Sequence, residues 1–124
     1  MRTRIFRVMA VFMVGLASIF YSSPAWAHAR PKIMIPAPDS TVDSPKKISV
    51  TFSEGLVAQF SSLKLKDEKG EEISPKKSET DPSDPKVMTL DVPTNLPAGS
   101  YIVHWVAAAV DGHRMEGEYK FTVK

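Results

Sequence analysis

Two kinds of apolar pattern run along this chain of 124 residues. Up to residue 27 the apolar residues are nearly continuous, and beyond it they alternate with polar ones. The first stretch has the three parts of a secretion signal. Arg2, Arg4 and Arg7 form a basic start, residues 8–21 are an apolar run, and Ser22-Ser23-Pro24 breaks that run before the small residues Ala25 and Ala27. The run is shorter than the roughly 20 apolar residues a spanning helix needs, and it ends in a polar break. The pattern therefore predicts cleavage after Ala27, leaving residues 28–124 as the mature domain.

Alternation then marks strands. Residues 32–35 read as a first short strand, turned by Pro36-Ala37-Pro38-Asp39-Ser40. Over residues 47–54, Ile48, Val50 and Phe52 point one way and Ser49, Thr51 and Ser53 the other. Residues 56–60 read as an irregular connection. Leu63 and Leu65 alternate with Lys64 and Lys66, followed by the turn Asp67-Glu68-Lys69-Gly70. Residues 74–86 are charged and contain three prolines, which predicts an exposed loop. A strand is predicted over 87–92 and the strongest one over 100–110, with Tyr101, Val103 and Trp105 on one face and Ile102, His104 and Val106 on the other. Asp111-Gly112-His113 interrupts it, and Tyr119, Phe121 and Val123 alternate in a last strand. No helical period follows the leader. The prediction is an all-β, Greek-key β-sandwich of about seven strands, with Trp105 as its central aromatic.

Composition narrows the chemistry. There are no cysteines, so thiolate metal sites, disulfide staples and a lipid-modified cysteine are excluded, and the core alone must hold the domain. Of 16 basic residues three lie in the leader, so the mature chain carries 13 against 14 acidic ones, a formal charge of −1. Basic and aromatic residues do not interleave as in a nucleic-acid surface. No second apolar stretch of spanning length follows the leader, so the mature chain is expected to be soluble.

Three histidines remain after cleavage: His28, His104 and His113. Cleavage would make His28 the first residue, offering an amine and an imidazole together. Asp111 and His113 flank Gly112, and a glycine turn or an extended stretch alike can present a carboxylate and an imidazole to one side. Each signal alone has an ordinary reading, since Asp-Gly is a common hairpin turn. His104, on the face opposite Trp105, reads as a surface histidine. Arg30 and Lys32 read as solvated.

Read whole, the mature stretch resembles the CopC family of periplasmic copper-binding proteins. The resemblance rests on His28-Ala29, Pro36-Ala37-Pro38-Asp39-Ser40, Phe52-Ser53-Glu54, Tyr101-Ile102-Val103-His104-Trp105, and Asp111-Gly112-His113 with Gly117 and Phe121-Thr122-Val123. It implies an immunoglobulin-like sandwich that holds one Cu(II) per chain. His28 would supply its α-amine and a ring nitrogen, Asp111 and His113 one atom each, and Glu54 would stand behind them, bonded to the amine or a water. An N,N,N,O set suits the tetragonal preference of Cu(II). Amine and imidazole, ordinarily titrating near 7.7–8.0 and 6.5, must lose protons to bind, so affinity should weaken below about pH 6. The sequence departs from the family in Arg114-Met115, where Pro-Val is usual. The mature methionines, Met34, Met88 and Met115, are scattered and read as core, so no methionine Cu(I) site is expected.

The resemblance implies a periplasmic copper carrier, monomeric, with a membrane copper transporter (CopD-like) as partner and no nucleic acid. Two other readings stand beside it. One is a copper oxidase built on a histidine brace, disfavoured by the small size and the carboxylate ligand. The other is a metal-free interaction module, for which His28 would be dispensable.

Overall fold

The computed structural model describes residues 28–73, 76–92 and 95–124. The predicted leader, residues 1–27, lies outside these, as do Ser74, Pro75, Pro93 and Thr94. Among the described residues eight strands form two four-stranded sheets. The first sheet contains β1 (Pro31–Ile35), β3 (Lys47–Phe52), β6 (Asp84–Asp91) and β5 (Glu79–Asp81), in that order. The second contains β2 (Thr41–Val42), β8 (Arg114–Val123), β7 (Gly99–Ala108) and β4 (Ser62–Lys66). Pairing is antiparallel except between β2 and β8, which run parallel. There is no α-helix among the described residues, and no helix long and apolar enough to cross a membrane.

The alternating residues meet between the sheets as their period requires. Ile48, Val50 and Phe52 of β3 and Met88 and Leu90 of β6 are buried with Leu63 and Leu65 of β4. Tyr101, Val103 and Trp105 of β7 and Phe121 of β8 complete the same cluster. Met34 and Met115 pack partly buried against it. Each large apolar side chain taken fully from water contributes about 1.5–3 kcal/mol, which is how a domain without cysteines can hold. Trp105 packs edge-on against Phe52, centroids 5.6 Å apart. It is paired across the sheet with Gly117, where a Cβ would fall 2.6 Å from Cζ2 of the indole. Tyr101 donates its hydroxyl to the carbonyl of Pro97 at 2.6 Å, four residues upstream. That bond is the tyrosine corner of immunoglobulin-like sandwiches.

Three sequence expectations are corrected. Residues 76–86 are not all loop. β5 and the start of β6 lie there, joined by a tight turn in which Ser83 donates its N–H and hydroxyl to Oδ1 of Asp81 at 2.8 and 2.7 Å. An edge strand paired on one side through its backbone needs no apolar period, so composition hid it. Those two bonds, the hydroxyl's first, hold the Asp81 carboxyl below its usual pKa. Second, β2 is too short to show a period, which with β5 raises the strands to eight. Third, the last strand begins at Arg114 rather than near Tyr119, with polar residues facing outward along its first half. The connection at residues 56–60 contains one 3₁₀ turn, Ala58–Phe60, packed against β7. The far end of β7 is consequently buried on both faces, Val106 and Ala108 included.

Candidate metal centre

The β7–β8 connection is a tight loop closed by its own backbone. Ala109 N–H donates to His113 O at 2.9 Å, and Gly112 N–H to Ala109 O at 3.0 Å. Gly112 has φ +91°, a left-handed conformation that a side chain would strain. The base of the loop is fixed from below. The buried Ser61 accepts from Ala108 N–H at 2.9 Å and donates to Ala108 O at 3.4 Å, while Val57 N–H donates to Ala108 O at 2.8 Å. Within the loop Asp111 grips His113 twice. Oδ1 accepts the His113 backbone N–H at 3.0 Å, and Oδ2 lies 3.2 Å from ring Nδ1. The backbone bond is the main cause holding the Asp111 carboxyl below its usual pKa, with smaller help from the rings of His113 and His28. Asp111 is therefore a carboxylate through the neutral range, and His113, with Nδ1 engaged, keeps Nε2 as its open nitrogen.

His28 reaches this loop from the other end of the described residues. Residues 28–30 precede β1 as an arm. Ala29 is wholly buried in the core, and Arg30 and Ser53 continue the pairing beyond β1, with Ser53 N–H donating to Arg30 O at 2.9 Å. The hydroxyl of Ser53 accepts Arg30 N–H at 3.0 Å and donates to His28 O at a long 3.4 Å. The arm ends with the His28 ring edge-on to that of His113, centroids 5.1 Å apart and planes at 89°. His28 Nδ1 is buried without a hydrogen-bond partner among the described residues. An unpartnered buried ring nitrogen beside a second imidazole and a carboxylate fits a nitrogen-binding cation.

The structure thus brings His28, Asp111 and His113 together. The three are neighbours and not a finished cage: no group of three such side chains among the described residues is arranged to hold an ion. Chemistry explains part of this. In the chain of 124 residues the His28 nitrogen is a peptide amide, and Asp111 is engaged with His113. Glu54 stands half-buried just past β3, with no hydrogen bond or ion pair to the three among the described residues. His104 lies half-buried on the outer face of β7, Nε2 3.9 Å from Glu116 Oε2, away from the loop's imidazole pair. Sequence reasoning missed Ser53 and Ser61. It took Ser53 for one more outward polar position on a strand, and nothing in the period of residues 56–62 marks a buried hydroxyl.

The CopC domain family matches residues 32–124. The chain belongs to the CopC family. Copper resistance protein C of Escherichia coli is 40% identical over 106 residues, which cover 81% of this chain and 84% of that protein. The crystal structure of CopC from Methylosinus trichosporium OB3b superposes with a TM-score of 0.73 at 32% identity, covering 78% of this chain and 94% of that one. The copper transport protein CutJ of Bacillus subtilis is 26% identical over 123 residues, 98% of this chain but 22% of CutJ. A copper-handling CopC domain with an immunoglobulin-like sandwich is the setting in which the arm and loop meet.

Proposed function

We propose that the chain is a periplasmic Cu(II) carrier in copper homeostasis or resistance, secreted by removal of residues 1–27 and active as the domain 28–124. One Cu(II) is held by the α-amine and a ring nitrogen of His28, by Asp111 and by His113, with Glu54 behind the amine. The observation that supports this best is the contact of the His28 and His113 rings beside Asp111, from segments far apart in sequence, with His28 Nδ1 unpartnered among the described residues. Freeing the His28 nitrogen turns an amide into an amine, which closes a chelate with the imidazole of the same residue. A set of three nitrogens and one carboxylate oxygen favours Cu(II) over the other divalent first-row ions.

The role is carriage and not turnover: Asp111 fills a position that an oxidase would keep open for its oxidant. The partner is a membrane copper transporter. CutJ supports this, because there a stretch like this chain is covalently part of a much longer copper transport protein. A separate domain would reach such a partner by diffusion, and the domain itself is proposed to be monomeric.

Cu(II) titration of the polypeptide 28–124 tests the reading. We expect one equivalent bound, a loss of more than about a hundredfold in affinity for His113→Ala and for Asp111→Ala, beyond the range for losing a group that only orients a ligand, and no change for His104→Ala. Affinity should weaken as pH falls, because protons compete with the ion for the nitrogen ligands while Asp111, held below its usual pKa, stays charged. Parent affinity in His113→Ala would remove the basis of the proposal.

A further inference from the structure

The N-terminal ligand sits on an arm that the strand ladder alone does not hold in register. The pairing of β1 with β3 slips by one residue at Lys32, since Pro31 faces Phe52 while Ile33 faces Thr51. Residues 28–30 lie beyond that bulge, and a chain terminus frays unless something ties it. Three ties are present. The Ala29 methyl is buried in the core. Ser53 N–H donates to Arg30 O. The Ser53 hydroxyl accepts from Arg30 N–H and donates toward His28 O. Only the last of these reaches His28 itself, and only a hydroxyl both accepts and donates from that spot.

We propose that Ser53 is the positioning residue of the copper site, the clasp that holds His28 against His113 before the ion arrives. The inference rests on the copper-binding reading above. Ser53 is not among the ligands of that reading; its hydroxyl is engaged with backbone groups of residues 28 and 30. Its effect is preorganisation: a histidine already held beside the loop loses less freedom when it chelates. Alanine at 53 keeps the backbone bond to Arg30 O and the burial of Ala29 but leaves Arg30 N–H and His28 O without the hydroxyl. Threonine keeps the hydroxyl.

The test uses the polypeptide 28–124. In the copper-free parent, hydrogen exchange should find the Arg30 amide protected like the strand amides. In Ser53→Ala that amide should exchange at least about tenfold faster, while the Gly112 and His113 amides keep their protection. Cu(II) affinity should fall by about ten- to a hundredfold, the range for losing a group that orients a metal ligand. The electron paramagnetic resonance spectrum of the bound ion should broaden or shift as His28 loses its fixed pose. Ser53→Thr should restore all three. An Arg30 amide that exchanges freely in the parent overturns the proposal without any variant having to fold. So does parent affinity in Ser53→Ala, or a loss that threonine does not rescue. If the parent itself binds no Cu(II), the functional reading fails, and the exchange measurement still decides whether Ser53 clasps the arm.

Discussion

Tyr101 and Tyr119 both lie buried between the sheets, and their hydroxyls fare differently. That of Tyr101 donates to Pro97 O, whereas that of Tyr119 has no partner among the described residues. Removing a satisfied hydroxyl forfeits a bond worth about 0.5–1.5 kcal/mol, and removing a buried unpaired one relieves a desolvation cost of about 1–3 kcal/mol. Tyr101→Phe should therefore lower stability by about 1 kcal/mol in denaturant unfolding at neutral pH, and Tyr119→Phe should be at least as stable as the parent. Burial also holds the Tyr119 phenol above its ordinary pKa. A phenol that ionises more readily in the unfolded chain contributes stability that is complete below about pH 10 and is lost as pH rises past it. Tyr119→Phe should lose less stability than the parent between about pH 10 and 12. Burial raises Tyr101 as well, so part of the alkaline loss should persist. A Tyr119→Phe protein less stable than the parent at neutral pH would show that its hydroxyl is satisfied after all. At this scale the sequence was informative about chemistry and silent about partners. It singled out His28, Asp111 and His113, which the fold does bring together. It could not see that Ser53, Ser61 and the Pro97 carbonyl have structural duties, because a polar residue's partner depends on distant parts of the chain.

At the scale of elements, period-two alternation was enough to find β3, β4, β7 and the end of β8, whose inward residues are the core. It failed where burial does not set the pattern. β5 is a polar edge strand, β2 is two residues long, and in the first half of β8 the exposed Arg114, Glu116 and Glu118 alternate with only a methionine and a glycine, Met115 and Gly117. The pairing of β7 with β8 also explains a glycine that no turn requires. Gly117 lies opposite Trp105, and the indole occupies the space of its missing side chain, so the ring can keep its edge contact with Phe52. Gly117→Ala forces the indole or the strand to move, and such overpacking costs about 1–3 kcal/mol. A thermal unfolding midpoint within a degree of the parent would refute this packing account, and a shifted tryptophan emission would accompany the expected loss. The loop that carries Asp111 and His113 is braced separately, by Ser61 and Val57 at its base, so the variant should leave Gly112 amide protection intact.

For the molecule as a whole, the sandwich works as a frame that brings the first residues of the domain against its last hairpin. Ion pairs such as Lys47–Asp91 and Lys64–Glu72, exposed, and Lys66–Glu118, with Lys66 half-buried, lie at 3.9 Å, where each is worth little, so the frame stands on its apolar core. That division of labour makes the copper account depend on an event outside the fold, the freeing of one nitrogen by cleavage after Ala27. The direct measurement is a Cu(II) titration at neutral pH of the polypeptide 28–124 with a free start, beside the same polypeptide acetylated at His28. The account predicts one tightly held equivalent for the free form and a loss of more than about 1.4 kcal/mol, a factor of ten, on acetylation. Equal affinities in the two forms would contradict it.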